Sequence, residues 1–257
     1  MNNFSQWARI AMLVAAGALG AGACTSAEDE SEPPAVGFAE HMHGHLDEVN
    51  QIKAAVIAGD LEMARPPAVW LSEHSEPPGM PDDWSPYLWE MRQYASTIAS
   101  ARDLRPAAVA VSEIGRTCGE CHRDHAVEIE FVAGPRPPME PHDIRTEMAR
   151  HLWAADRLWE SLLGSSDAAW TEGMAILEEV RLIPTELDDA PERAAQIEAL
   201  VQRIRALGEE GGRAPAGPAR SALYGEFLAT CASCHTLTGG GPGRVAMDVG
   251  EPTTAAH

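Results

Sequence analysis

Four of the chain's five cysteines fall into two pairs, and a histidine follows each pair at once. The motifs are Cys118-Gly119-Glu120-Cys121-His122 and Cys231-Ala232-Ser233-Cys234-His235. C-x-x-C-H is the attachment signature of c-type haem. The spacing lets two thiols reach the two vinyl groups on one edge of a porphyrin, and the adjacent imidazole then falls under the iron. Three other chemistries use paired cysteines. A redox dithiol usually sits beside a βαβ pattern, and none is visible. Zinc needs four ligands at one point, which would leave both histidine placements to coincidence. A disulfide framework has no need of a histidine after each pair. Two such motifs, using every cysteine but Cys24, predict two covalently bound haems c.

The motifs also divide the chain. Met42, His45 and Leu46 match Met148, His151 and Leu152 at a displacement of 106 positions, while the haem motifs are displaced by 113. Each copy therefore reads M-x-x-H-L, helical sequence, then C-x-x-C-H, with about seven extra residues in the second copy, expected in a loop. Ala, Glu, Leu and Arg dominate the middle and C-terminal stretches, and few segments alternate as strands do. Four helices are predicted per copy: 37–58, a second ending near 74, 82–102 and 106–122, then 143–163, 167–181, 191–207 and 219–235. Pro66 and Pro67 should distort the first turns of the second helix, and Asp82 or Asp83 should cap the third. The expected domains are 37–135 and 136–240, with a flexible tail over 241–257.

An all-α chain with C-x-x-C-H at the C-terminal end of each four-helix unit, and a ligand candidate on the first helix, resembles the class II c-type cytochromes. These are the cytochrome c′ group and its six-coordinate relatives. The resemblance covers nearly the whole mature chain twice and implies two tandem antiparallel four-helix bundles. It makes His122 and His235 the proximal iron ligands. It also implies that a residue on the first helix faces each iron, methionine in six-coordinate members and an apolar residue in five-coordinate ones. Here the candidates are His45 or Met42 and His151 or Met148, three apart and so on one helix face. The histidines are preferred, because an imidazole at the same place in both copies is poorly explained by packing; strict adherence to the family pattern would favour the methionines. His41 and His43, without counterparts in the second copy, read as solvent-facing. His125, His142 and His257 fall near loops or the terminus and read as surface. Trp70, Trp84, Trp89, Trp153, Trp159 and Trp170 read as core or haem-wall aromatics, and Tyr224 and Phe227 as residues that could pack on the second porphyrin.

The formal charge of -20 excludes a nucleic-acid footprint and suits a basic redox partner, though a merely solvating surface reads equally well. At the N-terminus Arg9 precedes an apolar run over 10–19, too short to span a membrane, which ends in Ala21-Gly22-Ala23-Cys24. This is the pattern of an export signal over 1–24. Cys24 stands where a lipoprotein signal places its lipidated cysteine, and the acidic stretch 25–36 fits a tether. The same residues satisfy an ordinary A-x-A cleavage site, and Ala21 replaces the leucine usual in lipoprotein signals. The sequence thus points to a periplasmic dihaem electron carrier, anchored by lipid to a bacterial membrane. A gas-binding protein with open distal sites is the alternative. A peroxidase-like enzyme would need one open haem and a distal acid–base residue, and the likeness of the two copies speaks against that division. No carboxylate pair, Ser/His/Asp order or phosphate loop stands out, and no catalytic residue is expected.

Overall fold

The computed structural model describes residues 36–188 and 190–241. The expected export signal with Cys24, the expected tether up to residue 35 and the C-terminal residues 242–257 with His257 lie outside the described residues. The described residues are all-α and contain no strand. The first half has α1 (Val36–Ile57), α2 (Leu61–Glu73), α3 (Ser85–Ser100) and α4 (Leu104–Asp124). The second has α5 (Ile144–Gly164), α6 (Asp167–Glu178), the short α7 (Pro184–Leu187), α8 (Pro191–Gly211) and α9 (Pro218–Thr238). No helix among the described residues is long and apolar enough to cross a membrane.

Local sequence explains most of the boundaries. Asp60, Asp143 and Ser166 cap α2, α5 and α6 by accepting from the backbone N–H three residues on, which satisfies donors that have no partner within the helix. Proline opens α8 and α9 at the first turn, where its missing N–H costs nothing. Two expectations need correction. α3 has no side-chain cap: a 3₁₀ turn, Asp82–Trp84, leads into it, and Asp83 instead lies 3.6 Å from His125. The extra length of the second copy is mostly helix, not loop, since α8 has 21 residues against 16 in α3. Pro66 and Pro67 lie inside α2, which continues through them to Glu73.

Within each half, successive long helices pack side by side and the last returns to the first. Between the halves, α1 meets α9 and α5 meets α4, a matched pair of contacts, and α4 meets α9 in the most extensive helix–helix contact of the described residues. Small residues allow that approach. Gly225 of α9 lies against Ser112 and Val109 of α4, so close that a Cβ would overlap the Ser112 hydroxyl. At the same junction Trp159 of α5 packs on Gly115 of α4 and Tyr224 of α9, and the Tyr224 hydroxyl donates to Ala155 O at 3.1 Å. Lys53 of α1 lies over the Trp159 ring and pairs with Asp156 at 2.8 Å. The core thus runs through the seam between the halves, and the two C-x-x-C-H helices, α4 and α9, form its centre.

Candidate functional site

Both C-x-x-C-H motifs occupy the last turns of a 21-residue helix. Residues three and four apart share a helix face, so each helix presents its two thiols and its imidazole on one side. Each motif histidine is held by the opposite half. His122 Nδ1 lies 3.1 Å from the carbonyl oxygen of Leu163 at the end of α5. His235 Nδ1 lies 2.6 Å from that of Ile57 at the end of α1. Leu163 follows Ile57 by the same 106 positions that separate the M-x-x-H-L copies. An imidazole donating from Nδ1 to a carbonyl keeps its lone pair on Nε2, the tautomer in which a metal-bound histidine is oriented.

The close approach needs a small residue at each end. Gly119 sits where a Cβ would lie 1.9 Å from Leu162 O. On α9 the equivalent residue is Ala232, and there the opposing chain supplies the glycine: Gly59, with φ +76°, faces Ala232 O and Thr236. One seam is made small from the motif side and the other from the helix-end side.

The four cysteines are unpaired. Burial pushes the Cys118 and Cys231 thiols up to about 12 and Cys121 to about 11, and it raises Cys234. As free groups in this apolar setting they stay neutral thiols.

Around the second motif the structure holds a cavity of about 360 Å³, within the range of sites that take a prosthetic group or small ligand. Cys231, Cys234 and His235 line it, and so do Met148 and His151 of α5. The remaining wall is almost wholly apolar, including Leu182, Val201 and Ile204. His151 is 7 % exposed, and its Nε2 is buried with no hydrogen-bond partner. Burial, then the nearby His235 and Arg150, hold its pKa down to about 4. A neutral imidazole with an orphaned nitrogen, facing an apolar cavity with two thiols and a second imidazole, suits an iron porphyrin attached at Cys231 and Cys234.

The first motif has different surroundings. Phe38, Trp84, Tyr87 and His125 form a chain of ring contacts, with centroids 5.8 to 6.0 Å apart, beside α1, α3 and the end of α4. His45, the counterpart of His151, is 5 % exposed and its Nε2 is also buried without a partner. Its pKa is lowered to about 3 by burial and then by His41, His74 and Arg92. His45 thus stands among histidines of α1 and of the end of α2, whereas His151 stands opposite its motif histidine.

Several sequence expectations change. His41 does not face solvent: its side chain is 7 % exposed and its Nε2 lies 3.1 Å from Glu76 Oε2. His125 is wedged between Trp84 and Tyr87, with a buried Nε2. Trp89 is 64 % exposed and Trp70 36 %, so neither is a core aromatic. Tyr224 and Phe227 are buried in the seam with Trp159 rather than along the cavity. His43 is exposed, as expected. His74 carries no sequence signal beyond its i, i+4 spacing from Trp70, on which it stacks at 3.9 Å.

Comparison of the chain with protein-family models, with curated proteins and with solved structures finds no match.

Proposed function

We propose that the protein is a dihaem c-type cytochrome that carries single electrons outside the cytoplasm. It would have one haem in each of two tandem four-helix bundles, α1–α4 and α5, α6, α8 and α9. The observation that carries this reading is the cavity at the second motif, where Cys231, Cys234 and His235 share an apolar space with the unpartnered Nε2 of His151. Haem supplies a one-electron iron couple. The chain's own residues bind and orient it. Cys118 and Cys121, and Cys231 and Cys234, would hold the two macrocycles, while His122 and His235 are aimed by the carbonyls of Leu163 and Ile57. Buried apolar walls exclude water. A filled sixth position favours electron transfer over gas binding.

In this reading His151 would hold the iron of the second haem together with His235. For the first, the choice falls on Met42, the counterpart of the cavity-lining Met148, because His45 is grouped with His41 and His74. A methionine ligand raises the potential of a c-type haem relative to a second histidine, so the two haems would differ. The acidic charge of -20 favours a basic redox partner. Export, and lipid anchorage through Cys24, complete the proposal on the strength of the N-terminal pattern.

Visible spectra of the purified holoprotein, ferric and ferrous, with and without carbon monoxide, test it. Two low-spin haems, indifferent to the gas, are expected. His151→Ala should open only the second haem to carbon monoxide, and Met42→Ala only the first. Two high-spin, gas-reactive haems in the unaltered protein would replace the carrier with a gas-binding function, and absence of covalent haem would end the reading.

A further inference from the structure

The first half contains a group of side chains that the duplicated motifs do not explain. His41, His45 and His74 each offer a ring nitrogen, and these three atoms lie within 4.8 Å of one another. Among the described residues this is the one group of three or more potential ligands gathered so closely. Its parts come from two elements. His41 and His45 are one turn apart on α1, the i, i+4 spacing by which a helix presents two imidazoles to one ion. His74 is the residue that ends α2, and its N–H donates to Trp70 O at 2.8 Å.

The rings are held from outside the group. Glu76 lies 3.1 Å from His41 Nε2, and Arg92 pairs with Glu76 while donating to the carbonyl of His74. Trp70 stacks on His74 with planes 21° apart. A carboxylate on the far side of a ligating imidazole fixes its ring and strengthens it as a ligand. At the centre, His45 is buried with an unpartnered Nε2. Three imidazoles converging on such an atom would repel one another if protonated; as neutral ligands they complete a site. The second half lacks the set. The residues 106 positions on from His41 and His74 are Glu147 and Val180, so the group is not part of the repeated haem architecture.

We propose that His41, His45 and His74 bind a divalent transition-metal ion, with zinc the best fit, separately from either haem. Three imidazoles suit borderline cations such as zinc and copper, and a three-histidine zinc site keeps a fourth position for water or another small ligand. The proposal rests on the part of the foregoing reading that gives the first haem Met42 and not His45.

The test uses the haem-loaded protein, stripped of loosely bound metal with a chelator and then equilibrated with zinc sulfate. Zinc and iron per chain are measured by elemental analysis, and the visible spectrum is recorded on the same samples. One zinc per chain is expected beyond the two irons. His74→Ala and His41→Ala should each abolish that zinc while leaving both haem spectra unchanged, and Glu76→Gln should weaken zinc binding about tenfold. Absence of bound zinc, or zinc that survives both histidine substitutions, overturns the site. A high-spin first haem in His45→Ala, with zinc binding retained, would give His45 to the haem and overturn the metal site, leaving the dihaem reading intact. A protein without haem that still binds zinc through the three histidines would do the reverse.

Discussion

The surroundings of the two C-x-x-C-H motifs share one sequence pattern and differ where it matters for chemistry. At the second motif, apolar residues from α5 and α8 stand back and leave about 360 Å³ beside the cysteines and His151. At the first, aromatic rings pack on one another around His125, and His45 is grouped with two extra histidines, His41 and His74. The scaffold beneath is shared: the same Nδ1-to-carbonyl bond holds both motif histidines, each from the opposite half. The two halves thus share the side of the motif histidine, where one hydrogen bond per motif also ties the halves together. The opposite side, built from residues of α1 and α5 and from connecting segments, differs between them.

Substitution in the shared scaffold should have the largest effect. Gly119→Ala would drive a Cβ to 1.9 Å from a backbone carbonyl and should destabilise the protein by about 3 kcal/mol. Ala232→Gly, at the matching position, should cost only about 1 kcal/mol. Chemical denaturation of the two variants measures the difference; equal costs would mean that the two seams are built alike.

Acid should expose the next difference. His45 and His151 are held near 3 and 4, against 6.5 for a free histidine. Their folded pKa values are depressed, so the unfolded chain takes up protons first. Stability is therefore full above pH 6.5 and falls as the pH drops toward 4, by up to about 1.4 kcal/mol per pH unit for each histidine. Urea midpoints of the haem-free polypeptide between pH 7 and pH 5 should show this slope. His45→Leu should remove the share of the first half and His151→Leu that of the second. An unchanged slope in either variant would show that its histidine is not buried neutral.

Lys53→Met should have the smallest effect. Lys53 is buried over Trp159, but its partner Asp156 is half exposed, so the loss should be below about 1 kcal/mol. A loss of several kcal/mol, measured by the same denaturation series, would mark the seam as electrostatically held instead of packed.

Much of this molecule can be read from its sequence because the relevant physics is local. Helical composition, Asp60 and Asp143 as caps, and proline at the start of α8 and α9 locate most helices. C-x-x-C-H carries its own geometry, since three residues on one helix face need no distant partner. The displacement of 106 relates Ile57 to Leu163 as well as the M-x-x-H-L copies, so the sequence repeat already contains the register of the carbonyls that hold His235 and His122.

What only the tertiary structure decided depends on contacts between residues far apart in the chain. Nothing near His41 or His74 in sequence announces that α2 brings them together with Glu76 and Arg92. The exposure of Trp70 and Trp89 follows from which helix face meets a neighbour, and that is set by the packing of whole helices. The crossing of α4 with α9 places each motif histidine in the grip of the other half. Local propensity fixes where helices begin and end; the burial of side chains between them fixes which imidazoles face a cavity and which face each other.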